Sequence, residues 1–180
     1  MKGLELAEEY YKAYGRKLFE EKFPHLVEHM AVGLVGYGSE CLGFDDELSM
    51  DHDYGPSFCV WLPRELYQQY GAQVQAAYEE LPQEFGGYSG RVSEVQGQGR
   101  VGSLCLEDFY LGILGRDTVP ETETEWLALS EESLAAAVNG KVFEDHLGKF
   151  SAFRNGLLQY YPKAVWIRRL VQALAKAAQA

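Results

Sequence analysis

Gly36-Tyr37-Gly38-Ser39, followed after eleven residues by Asp51-His52-Asp53, is the stretch whose reading decides the fold. The first part sets a hydroxyl and backbone N–H groups at a turn behind the apolar run Ala31 to Val35. The second puts two carboxylates on an extended segment. Alternate residues of a strand share a face, so Asp51 and Asp53 point together while His52 points away. Paired carboxylates beside a glycine-serine turn suit a divalent cation held next to the phosphates that it neutralises.

Working outward, Ala31 to Val35 reads as a strand that feeds the turn, and Met50 to Leu62 as a second strand bent at Gly55-Pro56. Upstream, residues 4–23 carry Leu4, Ala7, Tyr11, Tyr14 and Leu18 at helical spacing. Gly15 weakens the middle of that helix, and Pro24 ends it and opens a short helix over His25 to Met30. Downstream, Pro63 starts a helix over Arg64 to Leu81. Residues 86–100 form a loop or hairpin, Val101 to Leu106 a strand, and Glu107 to Leu114 a helix. Gly115 to Thr124 is an acidic connector. From Ser130 onward the pattern is helical, with Ser130 as an N-cap, Asn139-Gly140 as a stop, and two further helices around 141–159 and 162–179. The expected fold class is α+β, a small mixed sheet flanked by helices and followed by a helical C-terminal part. The expected domains are 1–115 and 116–180, the second one truncated.

Composition narrows the function. The chain has 180 residues, 47% of them hydrophobic and 24% charged, as in an ordinary globular protein. No apolar run is long enough to span a bilayer, and Glu5, Glu8 and Glu9 stand where a signal peptide has its apolar core. Cys41, Cys59 and Cys105 make an odd count without a CxxC pair, so neither a disulfide framework nor a zinc ribbon is indicated. The expected location is the cytoplasm. A net charge of −11 argues against sequence-independent binding to nucleic acid. The charge is uneven: residues 141–180 hold seven bases against two acids, so the rest carries −16. The ordinary reading is that the two halves of the fold pair with each other.

The run from Gly36 to Glu40, continued through Gly43-Phe44-Asp45-Asp46-Glu47 to Asp51-His52-Asp53-Tyr54-Gly55-Pro56, resembles the core motif of the DNA-polymerase-beta-like nucleotidyltransferase superfamily. More narrowly it resembles a bacterial branch described as a nucleotidyltransferase-like domain of unknown function. Trp126-Leu127, Gly140 to Asp145, Gly148, Arg154 and Tyr160 to Trp166 also resemble that branch. The resemblance implies Mg²⁺ held by Asp51 and Asp53, and a nucleoside triphosphate contacted by Gly38 and Ser39. It implies transfer of a nucleoside monophosphate to a hydroxyl of a small molecule or protein, with pyrophosphate leaving. The family's third carboxylate has three candidates here, Glu94, Glu107 and Asp108, with Glu94 on a plausible extended segment. Lys141, Lys149 and Arg154 are candidates for the triphosphate side of the cleft. The alternative is a nucleotide-binding or protein-interaction module of the same fold with weak or no catalysis.

Other motifs have plainer readings. His25-Leu26-Val27-Glu28-His29 matches an inverted zinc-protease pattern, for which an amphipathic helix with two half-exposed histidines is the ordinary account. Gly97 to Gly102 matches a dinucleotide-binding glycine pattern, but a strand follows where a helix is required, so a hairpin turn is the better reading. Helix amides near Cys41 lower a thiol pKa, yet no histidine is close in sequence, and the expectation is a buried small residue. The pairs Tyr10/Tyr11 and Tyr160/Tyr161, with Tyr14, are core aromatics or base-stacking groups. Asp117 to Glu125 is a solvated loop. The apolar last helix, with no capping signal, is a candidate homodimer contact.

Overall fold

In the computed structural model, residues 2–45, 55–89, 100–159 and 162–179 are described. The chain starts with a continuous helical run: α1 (Gly3–Tyr10), a π-helical turn (Tyr11–Gly15) and α2 (Arg16–Lys22). Strand β1 (Ala31–Leu34) leads into α3 (Ser39–Leu42). Strand β2 (Cys59–Leu62) leads into α4 (Arg64–Glu79), and a hairpin of β3 (Glu84–Phe85) and β4 (Tyr88–Ser89) follows. Then come β5 (Gly102–Cys105), α5 (Leu106–Leu114), α6 (Glu123–Ala128) and α7 (Glu131–Val138). The last elements are β6 (Lys141–Asp145), α8 (Lys149–Leu158) and α9 (Lys163–Ala177).

The result is an α+β fold around a four-stranded mixed sheet in the order β5-β2-β1-β6. β1 is antiparallel to both β2 and β6, while β5 is parallel to β2. β2 is buried along its whole length, as a central strand covered on both faces must be, and its side chains alternate between two cores. Cys59 and Trp61 face Tyr110 and Leu114 of α5, Leu134 and Ala137 of α7, and Phe150 of α8. Phe58, Val60 and Leu62 face Tyr10, Tyr11 and Phe19 of the N-terminal helix and Val74 and Ala77 of α4.

One expectation fails instructively. Residues 141–159 read as a single helix, but Lys141–Asp145 is a strand, and α8 starts only at Lys149. Tertiary pairing overrides local preference: β6 completes the sheet along β1, from Leu34 opposite Lys141 to Ala31 opposite Asp145. The same Asp145 then caps α8, accepting from the N–H groups of Gly148 and Ser151 at 2.9 and 2.7 Å. The sheet that begins before residue 115 is therefore finished by a strand from beyond 116.

Smaller corrections have local causes. The helix read over His25 to Met30 is one 3₁₀ turn, Val27–His29, so its two histidines are not one α-helical turn apart. The acidic connector ends in a helix: Thr122 caps α6, and the Glu125 carboxylate accepts from the backbone N–H groups of Glu121 and Thr122 and from Arg116. Those two backbone N–H groups are the main reason that its pKa falls to about 2.

The junction between α7 and β6 turns on Gly140. Its φ is +89°, and an added Cβ would stand 2.1 Å from the Leu34 carbonyl oxygen. Its N–H donates to the Cys41 carbonyl at 3.0 Å, which ties β6 to α3. Arg154 of α8 closes the corner by donating to the Val138 carbonyl at 2.8 Å and the Gly140 carbonyl at 3.4 Å. Gly140→Ala should lower stability by about 2–4 kcal/mol, combining a disfavoured φ with a backbone collision. By contrast Gly112→Ala, in open space on α5, should raise stability by about 0.5–1 kcal/mol. Denaturant unfolding of both variants checks the pair, and equal effects would contradict this geometry.

Candidate functional site

Strand directions decide what meets the glycine-serine turn. β1 ends at Leu34 and runs into Gly36 to Ser39; β2, antiparallel to it, begins at Cys59 opposite Gly33. β5, parallel to β2, begins at Gly102 opposite Cys59. β6 begins at Lys141 opposite Leu34. The C-terminal end of β1 and the N-terminal ends of β2, β5 and β6 thus form one edge of the sheet. Asp51, Asp53 and Glu94 lie outside the described residues, and so do Gly97 and Gly99. The described residues resume at Gly55, two residues after Asp53 and four before β2 begins at this edge.

The turn is built as its glycines require. Gly36 sits at φ +140°. Gly38 is extended and precedes α3, whose Cys41 and Leu42 N–H groups donate to the Gly38 carbonyl at 3.0 and 3.2 Å. The N–H of Ser39 is the first of that helix and has no carbonyl within it to bond.

Sequence reasoning passed over Glu40. Its side chain is buried and folds back over Gly38, where an added Cβ would come 2.6 Å from Oε2. The Ser39 hydroxyl donates to the same Oε2 at 3.5 Å. Only its burial in the structure marks it, since an acid beside an acidic run is ordinarily solvated. A carboxylate in this place repels bare phosphate and attracts a cation, so an anion at the turn needs a cation with it. Asp45, the one member of the acidic run among the described residues, is engaged elsewhere: it accepts from the Gly3 N–H at 2.8 Å and fixes the start of α1.

Lys141 stands at the same edge. Its ammonium pairs with Glu8 of α1 at 2.5 Å, and that bond is the main cause of the lowered Glu8 pKa. The two other basic candidates do different work. Arg154 holds the backbone at Val138 and Gly140, and Lys149 opens α8 beyond the far end of β6. Two candidates for a third carboxylate are also elsewhere. Glu107 and Asp108 follow the C-terminal end of β5, at the opposite edge, where both bind Arg64: Glu107 accepts from its N–H at 2.9 Å, and Asp108 pairs with its guanidinium at 2.9 Å.

No cluster of three or more histidine, cysteine or acidic side chains capable of holding a metal occurs among the described residues. His25 packs edge-on against Tyr70 at 5.1 Å. Among them, too, no helix is long and apolar enough to cross a membrane. Ile167, Leu170, Val171 and Leu174 of α9 are exposed, on the helix read as a homodimer contact.

Comparison with known families gives one match: residues 126–180 fit the model of a domain of unknown function, DUF4037. The match covers α7, β6, α8 and α9 with the second half of α6, and leaves the glycine-serine turn outside it. No curated protein and no solved structure matches the chain significantly.

All three cysteines are buried and free. Burial pushes the Cys41 thiol up to about 12, against a smaller lowering by the Gly38 backbone. Cys59 and Cys105 are raised by burial as well. Cys41 is therefore an inert packing group, as its sequence context implied. An aromatic disulfide reagent at pH 8 should label no thiol in the native protein and three in denaturant; rapid native labelling of Cys41 would contradict this.

Proposed function

We propose that this chain is a nucleotidyltransferase that moves a nucleoside monophosphate from a nucleoside triphosphate to a hydroxyl of a small molecule or protein, with Mg²⁺ as cofactor. The observation that supports it best is directional. The glycine-serine turn, the entry to β2 that follows Asp51 and Asp53, and Lys141 belong to one edge of one sheet. The superfamily resemblance of Gly36 to Pro56 implies the turn and the aspartate pair working together, and Lys141 adds a cation to the same edge.

In this reading Gly38 and Ser39 receive the triphosphate, the Ser39 hydroxyl leaving Glu40 to donate to a phosphate oxygen. Asp51 and Asp53 hold the metal in this reading, and the buried Glu40 carboxylate at the turn adds negative charge that favours a cation there. Mg²⁺ would supply charge neutralisation at the entering and leaving oxygens. Lys141 exchanges Glu8 for phosphate, an exchange that an exposed ammonium on a flexible stem makes readily. Glu107 and Asp108 are engaged by Arg64, so in this reading Glu94 is the remaining candidate for the third carboxylate. A second reading, a nucleotide-binding module without turnover, draws on that same fact, because only one candidate base remains.

Thermal unfolding with ATP, GTP, CTP and UTP, with and without Mg²⁺, tests the proposal. One nucleotide with Mg²⁺ should raise the midpoint by about 5–10 °C at a hundredfold excess over Kd. Asp51→Asn/Asp53→Asn should abolish that rise, and Lys141→Met should weaken nucleotide affinity about tenfold. No shift with any nucleotide, or a shift unchanged in the aspartate variant, would contradict it. Nucleotide binding without pyrophosphate release would favour the second reading.

A further inference from the structure

At the other end of β1 and β6, away from the glycine-serine turn, a cleft of about 220 Å³ lies beside the π turn, whose Tyr11 lines it. In an α-helix, residues five apart point about 140° from each other. Here the Arg16 N–H bonds the Tyr11 carbonyl, five residues back, and the widened turn sends both side chains to one carboxylate. Tyr11 donates its hydroxyl to Glu144 Oε2 at 2.6 Å, and Arg16 pairs with Glu144 Oε1. His146 Nε2 stands 3.5 Å from Glu144 Oε2. Gly15 is what lets the widened turn sit down: a Cβ there would come 2.6 Å from the Phe58 ring and 2.7 Å from Tyr11.

The cleft below this cluster has an apolar floor of Phe19, Met30 and Val32, and a rim carrying the exposed carboxylates of Glu20 and Glu28. Glu144 is already matched by Arg16, so the two rim carboxylates set the sign of the remaining field. The volume is below that of a drug-sized site, which matches a ligand of few heavy atoms.

We propose that this cleft binds a small organic ammonium ion with an apolar body, the ammonium at Glu20 and Glu28 and the body on Phe19, Met30 and Val32. The hydrogen-bonded cluster of Tyr11, Arg16 and Glu144 forms the back wall and is a positioning device. π-helical turns are frequent at functional sites, and this one costs helix regularity to shape the wall. The inference is independent of the nucleotide site, from which it is separated by the length of the sheet.

Titration of the labelled protein with phenethylammonium chloride, followed by amide shifts in NMR, tests this. Saturable shifts should appear at Phe19, Val27, Val32 and Glu144, and 3-phenylpropionate, of similar shape and opposite charge, should give none. Glu20→Gln/Glu28→Gln alters exposed side chains, should keep the native melting profile, and should weaken the ammonium affinity at least tenfold. Equal binding of the carboxylate, undiminished binding in the double variant, or no saturation at millimolar ammonium would each overturn the proposal.

Discussion

The pairing of β6 with β1 is the constraint on which the rest of this structure depends. It brings residues more than a hundred positions apart into register and closes the open side of β1. Without it β1 would be an edge strand with unpaired N–H and C=O groups, a condition that proteins avoid by covering or pairing. With it, Gly140 sits against Leu34 and bonds Cys41, so the strand and the glycine-serine turn are fixed by one corner. The same strand carries Lys141 at one end and Glu144 and Asp145 toward the other. One pairing thus serves the turn, the back wall of the cleft and the cap of α8.

Two cores make this sheet a rigid partition. Trp61 stacks on Phe150 at 4.1 Å on one face, while Phe58 meets Tyr11 and Tyr78 rings at 5.3 and 5.0 Å on the other. Burying large aromatic groups on both sides of one strand contributes several kcal/mol. It also fixes strand ends relative to one another, which is what a site made from strand ends requires. Both proposed sites accordingly use strand ends, and the faces of the sheet are given over to packing.

Much of the fold was legible in the sequence because its signals are local. Pro63 before α4, the Ser130 cap of α7 and the apolar run of β1 each announce their element within a few residues. β6 was not legible: Lys-Val-Phe-Glu-Asp is short, and its partner lies far away in the chain. The π turn was hidden for a similar reason, since Gly15 reads as a weak point until Phe58 is seen pressed against it. At the site, Gly38 and Ser39 announced the turn by type and spacing. Glu40 was missed because an acid beside an acidic run reads as solvated until its burial is known. Arg154 and Lys149 were read by charge alone, and charge does not say which backbone groups a guanidinium will hold.

Native-state hydrogen exchange tests most directly the claim that one sheet unites the two ends of the chain. The amides of β6 and its partners on β1 should open with the same free energy as those of β2, and Gly140→Ala should lower all three together. If β6 exchanged through a separate, cheaper opening while β1 and β2 kept full protection, the C-terminal segment would be an independent unit. The shared edge that joins the turn to Lys141 would then not exist as a stable structure.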